Sequence, residues 1–196
     1  MNERIINRCR NKSNDGQRVG SKAKYAVNNL AFKLLSYLKC DLDFIVLCVG
    51  SSKCVGDSLG CVVGSLLKYK YKIPNFCYGD FECNVSGANI EHYLDIINKY
   101  HFGKKVVVID SAVGSSVDVG GVKVRYGGIM PRSAIDNSYD VVGDVAITGV
   151  VSCGLNVGAE LLSVKRCDIM EMAEMIAGAI CEYRCLVKNL NYVKSI

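Results

Sequence analysis

The chain has 196 residues, 50% hydrophobic and 22% charged, with eleven cysteines and a formal net charge of +5. That is enough apolar material to pack one domain, so wholesale disorder is excluded. No apolar run reaches the ~18 residues that span a bilayer, and the polar start predicts no signal peptide, which together place the chain in the cytoplasm, away from membranes.

The first segment, residues 1–22, reads as a basic, disordered leader ahead of a single domain over 23–196. Over residues 1–24, seven Lys/Arg (Arg4, Arg8, Arg10, Lys12, Arg18, Lys22, Lys24) stand against Glu3 and Asp15, which accounts for the whole excess charge. The body is neutral, whereas a nucleic-acid-binding domain carries its basic face on the fold itself, so no nucleic-acid partner is expected. From Ser21, a candidate N-cap, Tyr25, Ala26, Leu30, Leu34, Leu35 and Leu38 recur at helical spacing up to Cys40. Phe44–Val49 is six apolar residues in a row, the pattern of a strand buried on both faces of a parallel sheet. Leu59, Val62, Val63, Leu66 and Leu67 then follow an amphipathic helical period that opens at Asp57–Ser58.

Pro74–Tyr78 reads as a short strand, and Ile90, Tyr93, Leu94 and Ile97 as a helix behind Asn89. Lys105–Ile109 is a second continuous apolar strand, closed by Asp110. Val122–Tyr126 alternates as an edge strand or hairpin arm would, and Val145–Val151 is a third buried strand. Ile169, Met172, Ala173, Ile176, Ala177 and Ile180 form the last helical stripe, with Asp168 and Glu171 spaced as a capping box. This order predicts an α/β fold of three layers, α/β/α, around a largely parallel central sheet. The cysteines fit that frame rather than a disulfide scaffold: their number is odd, and Cys48, Cys61 and Cys181 sit inside apolar runs as small hydrophobes.

Open parallel sheets form their sites beyond the carboxyl ends of the strands. Two loops put acids there: Gly50-Ser-Ser-Lys-Cys-Val-Gly-Asp57-Ser-Leu-Gly60 and Ile109-Asp110-Ser111-Ala-Val-Gly114. If their strands are neighbours, Asp57 and Asp110 converge, and a carboxyl pair can divide the work of hydrolysis between a proton donor and a base. Asp57 has a competing reading as an ordinary helix N-cap, the commoner role for an Asp in that setting. The same loop is no P-loop, because Gly50 and Gly56 are one residue too far apart and Asp57-Ser58 replaces Lys-Ser/Thr. No C-x-x-C suggests zinc, and a Cys54 nucleophile has only His92 and His101 to draw on. Gly56, Gly60 and Gly64 read as close packing of helix on sheet.

Three blocks carry a family resemblance: Val49-Gly50 through Gly56-Asp57-Ser58-Leu59-Gly60, then Val108-Ile109-Asp110-Ser111-Ala112-Val113-Gly114, then Val142-Gly143-Asp144-Val145-Ala146-Ile147-Thr148-Gly149-Val150-Val151. From about Asp43 to Glu182 the chain resembles the YyaC-type sporulation proteins of spore-forming Firmicutes. That family is distantly similar to the protease that degrades small acid-soluble spore proteins at germination, and to the hydrogenase maturation proteases. The resemblance implies a phosphorylase/hydrolase-like fold and an aspartic-type endopeptidase with Asp57 and Asp110 catalytic. It further implies Gly50, Ser51, Ser111 and Thr148 lining the cleft, a protein or peptide substrate, and no cofactor. In the hydrogenase proteases such acids help bind nickel together with a later histidine, and here no histidine follows His101, so no metal is expected. Pro131-Arg132 stands where these families read Pro-Gly, and Ser86 where a histidine is common. Two other readings stand beside the peptidase: a non-catalytic binding or regulatory sporulation protein on the same fold, and a metal-dependent hydrolase using Asp57, Asp110 and Asp144. Oligomeric state is left open, with a homo-oligomer compatible.

Overall fold

The computed structural model describes residues 17–21, 25–130, 141–154 and 156–194. The leader up to residue 16 and the Pro131-Arg132 pair lie outside the described residues. Phe44–Cys48 forms β2 with all five residues buried, as its unbroken apolar run requires. Lys105–Gly114 forms β4 and Val145–Cys153 forms β6, and the three strands lie side by side and parallel. A two-residue β3 (Cys77–Tyr78) adds to the outer side of β2, again parallel. On the other side, β5 (Gly121–Tyr126) pairs antiparallel with β6, and β1 (Gln17–Gly20) pairs antiparallel with β5. Among the described residues the sheet order is β1-β5-β6-β4-β2-β3, with five of these six strands sharing one direction and β5 opposing them.

Alternation along the strands feeds two cores. Val46, Cys48, Val107, Ile109 and Ile147 face one side, under α1 (Ala26–Leu38), α2 (Leu59–Ser65) and α5 (Arg166–Lys194). Ile45, Leu47, Val106, Val108 and Ala146 face the other, under Ile90 and Ile97 of α3 (Ile90–Tyr100). The result is the three-layer α/β/α fold that the element order predicts. The helices sit close because of glycine: a Cβ on Gly60 would come within 2.1 Å of the Val49 carbonyl oxygen, and one on Gly64 within 1.7 Å of that of Gly79. The α2 helix ends in a π-helical turn, Leu66–Lys70, that delivers Lys68 to the buried Asp80 at 2.5 Å.

Several boundaries differ from the sequence expectation, each for a local reason. Gln17–Gly20 belongs to the sheet, so the segment read as leader contributes its last residues to an edge strand. Val122–Tyr126 is consequently interior, covered by β1 on its free side. Ser21 caps nothing: α1 starts after Tyr25, whose φ of 64° turns the chain instead. The short strand begins at Cys77 rather than Pro74, because Asn75 turns inward to donate to the carbonyls of Leu42 and Phe44. A six-residue helix, α4 (Val157–Leu162), precedes α5. The long α5 begins at Arg166, so Asp168 and Glu171 lie within the helix rather than at its cap.

Candidate functional site

The register of β2 on β4 places Cys48 opposite Ile109, and the Val49 amide donates to the Ile109 carbonyl at 2.8 Å. The loop after β2 therefore leaves the sheet directly beside Asp110, the adjacency on which convergence of the two acids depends. Backbone bonds close this loop on itself. Gly50 N–H donates to the Val85 carbonyl (2.7 Å), Ser51 N–H to that of Asp57 (2.9 Å), and Gly56 N–H to that of Leu161 on α4 (3.1 Å). A Cβ at Gly50 would stand 2.2 Å from the Asp57 carbonyl oxygen, so only glycine allows the loop to return so tightly. Asp57 is thus brought back over the end of β2.

The N-cap role open to Asp57 is not taken. Ser58 occupies the cap position of α2, and its hydroxyl donates to the Val55 carbonyl at 2.7 Å rather than accepting from the helix amides. The Asp57 carboxylate instead lies near the Ser51 backbone and the Ser111 side chain, both of which favour its ionised form. Asp110 is not the last residue of its strand. β4 continues through Ser111 to Gly114, because β6 is long enough to keep pairing it, with a bulge between Ala112 and Val113. Asp110 lies opposite Thr148, and its Oδ1 accepts from the Ser111 N–H at 2.8 Å. Ser111 therefore holds Asp110 through its N–H, and its side chain stands near enough to Asp57 to favour that acid's ionised form.

Both carboxyls are half-buried, and both hold their protons above the usual carboxylate range. Burial, followed by the charge of Asp57, pushes Asp110 up to about 7, against the pull of the Ser111 N–H and the Arg125 guanidinium. Burial also raises Asp57, opposed by the Ser51 backbone and the Ser111 side chain. The charge of Asp57 thus adds to burial in holding the proton on Asp110. Beneath them, burial and the charge of Asp57 push the Cys61 thiol up to about 11, which makes it packing rather than a nucleophile.

The remaining expected residues fall around this pair. Gly50 and Ser51 spend their amides on the loop itself, and Asn84 Nδ2 donates to the Gly50 carbonyl at 3.4 Å. Thr148 stands in register between Asp110 on β4 and Lys123 on β5, its Oγ1 buried and without a hydrogen-bond partner. Asp144, the third acid of the metal reading, is not brought in. Its Oδ2 accepts from the Val106 N–H at 2.9 Å at the opposite end of the sheet, four residues or about 13 Å along β6 from Thr148. Among the described residues no group of three or more His, Cys, Asp or Glu is placed to hold a metal ion. His101 is buried, bonded to the Tyr78 hydroxyl at 2.8 Å and stacked on Phe76, and His92 packs against Tyr93, so both belong to aromatic packing.

Two contributors to the site escaped the sequence reading. Arg125 places a positive charge near Asp110, and Lys123, tied to Asp118 at 2.8 Å, flanks Thr148. The alternation of Val122 and Val124 with these cations carried the signal, since it puts both on the face opposite the apolar core.

Comparisons with known proteins identify the family. A family described as "Protein of unknown function (DUF1256)" matches residues 18–179. The uncharacterized protein YyaC of Bacillus subtilis (strain 168) is 28% identical over 137 residues, covering 69% of this chain and 67% of that protein. Among the described residues, no helix is long and apolar enough to cross a membrane.

Proposed function

The chain belongs to the DUF1256 family of proteins of unknown function, of YyaC type, and from that premise we propose that it hydrolyses peptide bonds with an aspartate pair. The observation that supports the reading is that the Asp57 loop leaves β2 beside Asp110, within β4, so that the charge of Asp57 bears on Asp110, to which Ser111 donates its N–H. In this mechanism Asp110, pushed up to about 7, carries the proton of the pair. Ionised Asp57 takes a proton from water as the water oxygen bonds to the peptide carbonyl carbon. Asp110 gives its proton to the carbonyl oxygen, forming a gem-diol. Asp57 then passes the proton it took from water to the amide nitrogen as the C–N bond breaks, and Asp110 takes a proton back from a diol hydroxyl as the carboxylic acid forms. The substrate class is a protein or peptide, and a role in sporulation follows from the resemblance to the YyaC type.

Incubation with an unbiased peptide library, read by mass spectrometry, tests this. Asp57→Asn and Asp110→Asn are expected to lower cleavage by about a hundredfold or more. Retention of cleavage by both variants would overturn the mechanism. Activity is expected to fall as pH rises through about 7, where Asp110 loses its proton, and to fall again in acid as Asp57 gains one. One observation favours the second reading, a binding or regulatory protein without turnover. The amides of Gly50 and Ser51 are spent inside the loop and the Thr148 hydroxyl is covered, which leaves few free groups to orient a substrate. An uncleaved library with a peptide retained on the immobilised protein would select that reading.

A further inference from the structure

Backbone groups of an extended strand point alternately to its two neighbours. In β4 the Val106 carbonyl accepts from the Asp144 N–H on the β6 side, and the Ile109 carbonyl from the Val49 N–H on the β2 side. Ile109, Ser111 and Val113 therefore present their backbone polar groups toward β2. That neighbour ends at Cys48, opposite Ile109, whereas β4 runs on beside β6 to Gly114. The extra residue of the bulge is Val151 on β6, which leaves the alternation of β4 intact. Where the ladder would continue, Ser51 gives its N–H to the Asp57 carbonyl, and Gly50 gives its own to Val85 on the far side of β2. The Ser111 N–H is taken by Asp110 Oδ1. Among the described residues no backbone group pairs with the Ser111 carbonyl or with the N–H and carbonyl of Val113. Val106–Ile109 is buried, but Asp110–Gly114 is half-exposed.

We propose that this unpaired edge is a docking strip for an extended peptide, which adds to Ser111–Gly114 as the next strand of the sheet. A row of free backbone donors and acceptors matches the main chain of any extended segment, and sheet edges recruit peptides in this way. The strip begins at Asp110, so a peptide lying along it carries one of its own peptide bonds past that carboxyl. Its ligand is an unfolded or flexible stretch of protein, held by main chain and tolerant of sequence. A helix, whose amides are spent internally, does not fit. The strip also supplies orienting groups that Gly50 and Ser51, with their amides spent in the loop, do not. Docking stands on the strand geometry, and only the place of the cleaved bond rests on the aspartate-pair reading.

The experiment presents an unbiased peptide library to the immobilised full chain and reads retention and cleavage separately by mass spectrometry. Val113→Pro removes the outward N–H and puts a ring in the peptide's path, while the groups facing β6 stay in place. Strands accept proline at such a position. Retention is expected to fall by about tenfold or more, with the circular dichroism spectrum unchanged. Hydrogen exchange by NMR on the parent gives a second measurement, and serves if the proline variant fails to fold. The Val113 N–H is expected to exchange freely in the isolated chain, and about tenfold or more slowly once retained peptides are added. Equal retention by a folded Val113→Pro, a Val113 N–H already protected in the isolated chain by another segment or a second copy, or a parent that retains no peptide overturns the docking strip. Peptides held through the edge yet left whole keep the strip and lose the peptidase reading. Cleavage that proceeds equally in parent and Val113→Pro keeps the peptidase reading and loses the strip.

Discussion

A carboxyl whose pKa is about 7 in the folded protein, against about 3.9 in an unfolded chain, makes the folded state bind more protons between those values. Stability contributed by Asp110 is therefore full below pH ~4 and declines as pH rises to ~7. Asp110→Asn removes that slope: at pH 8 the variant is expected to be more stable than the parent by about 2–4 kcal/mol, with the difference vanishing near pH 4. Urea denaturation at both pH values checks it, and a variant less stable at pH 8 would contradict the direction. Thr148 makes a second residue-level case. Its buried, unpartnered hydroxyl costs free energy that valine, of the same shape, does not carry. Thr148→Val is expected to raise stability by about 1 kcal/mol, seen as a higher melting temperature; a lower one would show a partner for the hydroxyl in solution. Asp57 and Asp110 were legible in the sequence because strand ends followed by acids are a linear pattern. The bond from the Ser111 N–H to Asp110 was not, since it depends on β4 running on past Asp110 rather than ending there.

Among the elements, α2 is the one whose position the rest tolerates least. Gly64 lies where any Cβ would strike the Gly79 carbonyl, so Gly64→Ala must push the helix off the sheet. A loss of about 2–3 kcal/mol is expected by urea or thermal unfolding, despite the gain in helix propensity that alanine brings. The π-helical turn at its end depends on a different contact. Burial alone would raise the Asp80 pKa, yet its bonds from Lys68 and from the amides of Cys83 and Glu82 hold it below the usual range. Asp80→Ala leaves those donors unmatched and is expected to destabilise by about 1–3 kcal/mol, more at pH 7 than at pH 3, because the carboxylate's contribution disappears as it protonates. The strands β2, β4 and β6 were readable from unbroken apolar runs. β1 was not: Gln17–Gly20 carries only one large apolar residue, Val19, and its strand state comes from β5 beside it. Nor was the extension of β4 beyond Asp110, which exists because β6 continues alongside to Cys153.

Across the whole molecule, α5 joins parts far apart in sequence. The Tyr183 hydroxyl donates to the Asp41 carbonyl at 2.6 Å, and Arg184 donates to the Leu42 carbonyl at 3.0 Å. Burial along this helix ends at Val187, and 188–193 are exposed. Removing residues from 189 onward is expected to move the melting temperature by less than about 3 °C, whereas ending the chain before Tyr183 abolishes cooperative unfolding by circular dichroism. The three-layer plan was legible at this scale because alternating helical and strand periods constrain topology strongly.

The Gly56 amide on the Leu161 carbonyl ties the Asp57 loop to a helix more than a hundred positions later in the chain. During synthesis, β4 supplies Asp110 and Ser111 well before that carbonyl exists, and β6 must also emerge before β4 gains its second neighbour. Contacts of such long sequence separation form late, after the loop-closure entropy of everything between them has been met. The growing polypeptide thus carries its two acids for about fifty further residues without the last anchor of the Asp57 loop, and the site matures only as the final quarter of the chain folds.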